Sequence, residues 1–178
     1  DGSVLSWIKG LVNQVKSLAT RVGLLENNYI LKYVVPVDTA AINLTTDKYG
    51  NAFNFVEGDE ISIIINAVFT SENRVNIRIN NNSSSIYYWH TSISPLNYFP
   101  PIISTCIKQF SRTNILLINN EVTLYSFARY QYLTSEASST VHAYTQGFNS
   151  ESINSIQLFS AYSYLTIPAG TVILIKKK

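Results

Sequence analysis

Seven apolar residues near the N-terminus, Val4, Ile8, Leu11, Val15, Leu18, Val22 and Leu25, are spaced alternately four and three apart. With Ile8 at heptad position a, Val15 and Val22 are also a residues, and Val4, Leu11, Leu18 and Leu25 are d residues. A stripe this narrow is too thin to cover a globular core and matches the contact line between identical helices. Arg21 falls at g and Glu26 at the following e, the positions that pair between chains of a parallel coiled coil. Val12 and Ala19 at e widen the apolar face and favour more than two helices, whereas β-branched residues at a with Leu at d lean towards two. Gly10 and Gly23 lie off the seam, so they weaken the helix without interrupting the stripe. The pattern predicts a helix over residues 4–29, ended at Glu26-Asn27-Asn28, and a parallel coiled-coil stalk over 1–29. The bland alternative is one amphipathic helix packed on the head of its own chain.

The period then changes from 3.5 to 2. Val75, Ile77 and Ile79 alternate with Arg74, Asn76, Arg78 and Asn80, which predicts a strand with the second set facing solvent. Ile61 to Phe69 is apolar on both faces, because Ile64 and Val68 interrupt the alternation, so its second face needs a covering sheet or subunit. Further strands are expected at 29–35, 86–91, 102–107, 115–118, 122–132, 140–148, 153–160 and 171–175. Turns at 47–51, 57–60, 80–85 and 168–170 separate some of them, and Asn119-Asn120 makes a hairpin turn. About ten short strands with no helix of crossover length indicate an antiparallel β-sandwich or jelly-roll-like head over 30–178.

The chain has 178 residues, 46% of them hydrophobic and only 13% charged, enough to build a core and poor in charge for a free monomer surface. The net charge of +2 includes three lysines at the extreme C-terminus, which leaves no basic field for nucleic acid. No apolar run reaches the length of a membrane span. The chain starts without Met and enters the heptads at once, which fits a piece of a longer protein whose N-terminal part carries an attachment module.

Catalytic chemistry finds little to stand on. His90 and His142 sit in no H-E-x-x-H arrangement, and no G-x-S-x-G occurs. Eleven carboxylates are few for a glycosidase pair. Cys106, the single cysteine, lies in an apolar run and reads as a buried thiol that builds neither a disulfide nor a zinc set. The expectation is a non-enzymatic protein with no metal and no cofactor.

Binding is better served. Aromatic rings offer flat faces to the C–H surfaces of sugars, while guanidinium and amide groups meet hydroxyls. Tyr87 and Tyr98 cluster with Trp89 and Phe99 around a Pro-bearing loop at 94–101. Arg74, Asn76 and Arg78 share one face, and Tyr162 and Tyr164 flank a second loop. Arg74, Asn76, Arg78, Tyr87, Tyr98, Tyr162 and Tyr164 are the candidate binding set.

A heptad stalk before a single β-head resembles the layout of bacteriophage fibre and receptor-binding proteins. The segment Ile153-Asn154-Ser155-Ile156-Gln157-Leu158, then Ile167-Pro168-Ala169-Gly170-Thr171-Val172-Ile173-Leu174-Ile175-Lys176, is similar to the closing strands of many phage structural heads. The resemblance implies a homotrimer at the virion surface, held to other virion proteins through an N-terminal segment, with a head that attaches to host-surface saccharide. A head-fibre or decoration protein without a specific receptor, and a cellular trimeric ligand domain, are the alternatives. Neither nucleic acid binding nor membrane insertion is expected.

Overall fold

The computed structural model describes residues 2–27, 29–84, 86–89, 96–102, 104–148 and 150–178, the side chains of 2, 3, 5, 18–27 and 89 excepted. It is a mainly β protein with one N-terminal helix and antiparallel sheets. Helix α1 is Gly2–Asn27. Twelve strands follow among the described residues: β1 Leu31–Val34, β2 Ala41–Leu44, β3 Phe55–Val56, β4 Glu60–Asn73, β5 Val75–Ile79, β6 Tyr87–Trp89, β7 Cys106–Ile118, β8 Glu121–Gln131, β9 Glu136–Thr145, β10 Ser152–Ile153, β11 Ile156–Ser160 and β12 Val172–Lys177.

Seven strands make one sheet in the order β1-β12-β4-β7-β8-β9-β6, three make a second in the order β2-β11-β5, and β10 pairs with β3. The division is thus uneven, and β7, β8 and β9 form a simple meander. Odd-numbered residues of β4 (Ile61, Ile63, Ile65, Ala67) and even-numbered residues of β8 (Val122, Leu124, Ala128) point into one core. That core also takes Val75, Ile77 and Ile79 of β5 and Ile156 and Leu158 of β11. Residues 96–99 join the sheets, since Leu96 bridges to Tyr87 of β6 and Phe99 bridges to Ile77 of β5. Thr39, ahead of β2, bridges to Ile167, ahead of β12.

Local chemistry explains the turns. Asn119 and Asn120 have φ of 51° and 60°, the left-handed pair that a two-residue hairpin needs to match strand twist. In the Asp47 turn, the Asp47 carboxylate accepts the Tyr49 and Asn51 amides at 2.8 and 2.9 Å.

Several expectations require correction. Segments 102–107 and 115–118 are not two strands. From Cys106 to Ile118 the chain is one strand, because the polar residues between them alternate too. Gln109, Ser111 and Thr113 face inward and are satisfied there. Gln109 accepts the Val75 amide at 2.9 Å and donates to Ser111 at 3.1 Å, and Thr113 donates to Ser126 at 3.2 Å. Segment 153–160 divides into β10 and β11, and β2 and β3 were not foreseen because each is too short to show a period. Asn76 and Asn80 do not face solvent. Asn76 is 1% exposed. Asn80 has φ of 52°, and its side-chain oxygen Oδ1 accepts the Asn154 and Ser155 amides at 2.7 and 3.1 Å, which fixes the join between β10 and β11.

Candidate functional site

The seam residues of α1 with described side chains all face solvent: Val4 is 61% exposed, Ile8 47%, Leu11 46% and Val15 58%. Leu18, Arg21, Val22, Leu25 and Glu26 lie outside the described side chains. Where the helix gives way to β1, the Ile30 amide bonds to the Ile175 carbonyl at 2.9 Å, and the Lys176 ammonium lies 4.4 Å from the Tyr29 ring centroid. The chain therefore enters the head at the end of the large sheet where β12 finishes.

Among the described residues, much of the outer face of that sheet is exposed. One cross-strand row runs Lys32, Leu174, Ile64, Arg112, Phe127, Thr140. Phe127 is 42% exposed, and on the same face Leu116, Tyr125, Val68 and Phe110 are exposed as well. On β4 the odd residues from Ile61 to Phe69 build the core, and of the even ones Ile64 and Val68 are apolar on the outer face, beside the polar Ser62 and Asn66.

The loop candidates come together around the small sheet. Asn76 and Arg78 on β5 and Gln157 and Phe159 on β11 share its outer face, with Phe159 opposite Asn76 and Gln157 opposite Arg78. The Arg78 guanidinium donates to the Asn97 carbonyl at 2.9 Å and to the Gln157 side-chain oxygen at 2.7 Å, and it lies over the Phe159 ring at 4.6 Å. Arg74 donates to the Asn76 side-chain oxygen at 3.1 Å, to the Ile102 carbonyl at 3.5 Å and to the Tyr98 hydroxyl at 3.3 Å. The Tyr98 ring meets Phe159 edge-on at 5.8 Å. Both arginines therefore hold segment 96–102 against the sheet. They are half-buried rather than solvent-facing, because the loop, distant in sequence, folds across them. Tyr98 stays half-exposed and remains the ring of this set that can meet a ligand.

Tyr87 does not belong to a binding surface. It is 0% exposed, its hydroxyl oxygen accepts the Ile79 amide at 2.8 Å, and burial pushes its pKa up to about 12. Tyr162 and Tyr164 stack on one another at 5.4 Å, both exposed, and Tyr164 lines a pocket of about 100 Å³ with Asp38, Phe69 and Asn73. His90 lies outside the described residues. His142 is exposed and meets the Tyr125 ring edge-on at 4.4 Å. Asp59 and Glu60 pair with Lys177 and Lys178 at 2.7 and 2.8 Å. Among the described residues no group of three metal-ligating side chains occurs, and no described helix is long and apolar enough to cross a membrane.

A larger cleft, of about 500 Å³, opens on the outer face of the large sheet over β4, β7, β8 and β9. No local sequence pattern marks it. Its lining residues lie in four strands spread from Asn66 to Ser138, and only the strand register brings them side by side. No protein-family model, curated protein or solved structure matches this chain.

Proposed function

We propose that this chain is the homotrimeric head of a bacteriophage fibre or receptor-binding protein, which attaches without catalysis to saccharide on the host surface. The observation that carries the reading is the solvent-facing heptad seam of α1, Val4, Ile8, Leu11 and Val15, placed directly before an all-β head. Apolar residues so exposed are stabilised when identical helices cover one another. The stalk-side part of the large sheet's outer face supports it, because three heads gathered by one stalk would bury Ile64, Leu116, Tyr125 and Phe127 there and leave the rows beyond Asn66 open. We read the seven- and three-stranded sheets around their common core as an uneven, jelly-roll-like sandwich. Trimerisation presents three copies of each site and turns modest affinity into avidity of about 10²–10⁴-fold.

Light scattering of the full chain is the direct test. The expected mass is about 60 kDa, three times the 20.0 kDa chain. Ile8→Asp with Val15→Asp is expected to lower it, and a wild-type mass of one chain overturns the trimer. A structural head-fibre or decoration protein is the second reading, favoured by the internal use of both loop arginines. A saccharide-binding panel separates the two, since a decoration protein without a receptor binds none of its members.

A further inference from the structure

We infer that the cleft over β4, β7, β8 and β9 is a binding site for an acidic saccharide, a sugar bearing a carboxylate; this rests on the receptor-binding reading above.

Two adjacent cross-strand rows build the floor. Asn66, Phe110, Arg129 and Ser138 stand side by side, and next to them Val68, Lys108, Gln131 and Glu136. Neighbours within a row are about 5 Å apart and the rows about 7 Å apart, so eight side chains from four strands converge on one small area. The cleft opens where β4 parts from β7. Five residues of β4, from Val68 to Asn73, advance against two of β7, from Lys108 to Cys106. Such a register shift bends a strand and re-aims its side chains.

The chemistry of the lining selects the ligand. Phe110 is 46% exposed and offers an apolar face to sugar C–H groups. Lys108 and Arg129 are exposed cations that the described residues engage in no hydrogen bond or ion pair. They stand diagonal to one another across two strands, spaced to grip one carboxylate from two sides. Asn66, Gln131 and Ser138 supply the donors and acceptors that hydroxyls need. Glu136 accepts from hydroxyls and repels a polyanion, which favours one carboxylate among hydroxyls over a polyphosphate chain.

Position agrees with the task. The chain enters the head beside Ile175 and Lys176, which pair with Ile63 and Ser62 of β4, whereas the cleft lies over Asn66 and Val68, about 10–20 Å further along that strand. A site displaced along the sheet from the stalk junction is free to meet a surface.

The test uses the full chain and four probes: sialyllactose and trigalacturonate, with lactose and methyl-esterified trigalacturonate as their neutral counterparts. Binding is measured by calorimetry at low and high salt. The expected result is binding of at least one acidic probe, at least tenfold weaker binding of its neutral partner, and weakening by salt. Lys108→Ala with Arg129→Ala, and separately Phe110→Ala, are expected to reduce affinity at least tenfold with an unchanged circular dichroism spectrum. Acidic-probe binding that survives in these variants, or is lost instead in Tyr98→Ala, overturns the cleft and leaves the saccharide reading standing. Equal binding of acidic and neutral partners overturns the acidic ligand. Binding of none of the four overturns the acidic-saccharide site alone, and the receptor-binding reading then stands or falls on the saccharide panel above.

Discussion

The Tyr87 hydroxyl oxygen accepts a hydrogen bond from the Ile79 amide at 2.8 Å. Tyr87 belongs to β6, at the edge of the seven-stranded sheet, and Ile79 to β5 of the three-stranded one, so a single side chain ties the two sheets inside the core. Tyr87→Phe keeps the ring and leaves the buried Ile79 amide without this acceptor. The expected cost is about 2 kcal/mol, a fall in Tm of about 4–8 °C for a chain of this length, read by thermal denaturation. A Tm unchanged within 1 °C would show that water or relaxed backbone replaces the bond.

Arg78 clamps the loop from β5 through Asn97, Gln157 and the Phe159 ring. Arg78→Ala is expected to cost about 1–3 kcal/mol by freeing the Asn97 carbonyl and Gln157. It is also expected to raise amide hydrogen exchange at Leu96–Phe99 more than in β7 or β8. Arg78→Lys recovers little, since one ammonium cannot reach both acceptors and stack on the ring. Uniform acceleration across all strands would assign the arginine to global stability instead of the loop.

Cys106 is buried, and that burial pushes its thiol pKa up to about 12. The native protein is expected to react with no aromatic disulfide reagent at pH 8, and with one equivalent after unfolding in guanidinium. Native reactivity within minutes would show that the start of β7 opens readily.

Acid weakens this fold through at least two carboxyls. Burial alone would raise the Asp59 pKa, but the Lys177 ammonium at 2.7 Å and the Val56 amide at 2.9 Å outweigh it and hold the group below its ordinary value of 3.8. The Asn51 side chain, against a smaller opposing effect of burial, lowers Asp47 with help from backbone amides. A depressed folded-state pKa gives stability that is present above the unfolded value and lost as pH falls through the folded one. Denaturant midpoints are therefore expected to stay flat above about pH 5 and to fall below about pH 4. Asp59→Asn is expected to remove part of that fall at a cost of less than about 1 kcal/mol at pH 7, because the ion pair is partly exposed. An identical acid slope in wild type and variant would exclude Asp59 as a contributor.

The sequence by itself determined the elements that depend on neighbours in the chain. Period-two alternation marked β5, the Asn119-Asn120 pair marked its hairpin, and the spacing from Val4 marked α1, because side-chain direction in helices and strands follows from local geometry. It also identified Cys106 as buried and β4 as apolar on both faces. Tertiary structure decided which faces meet. Asn76 reads as solvent-facing from its period, yet segment 96–102 covers it, and Tyr87 reads as a ligand platform but is the tie between sheets. Gln109, Ser111 and Thr113 look like a loop between two strands, but partners on β5 and β8 let them turn inward. The cleft over four strands has no local signature at all. Its rows exist only through register, and register is set by pairings between residues far apart in sequence, as between Asn66 and Phe110.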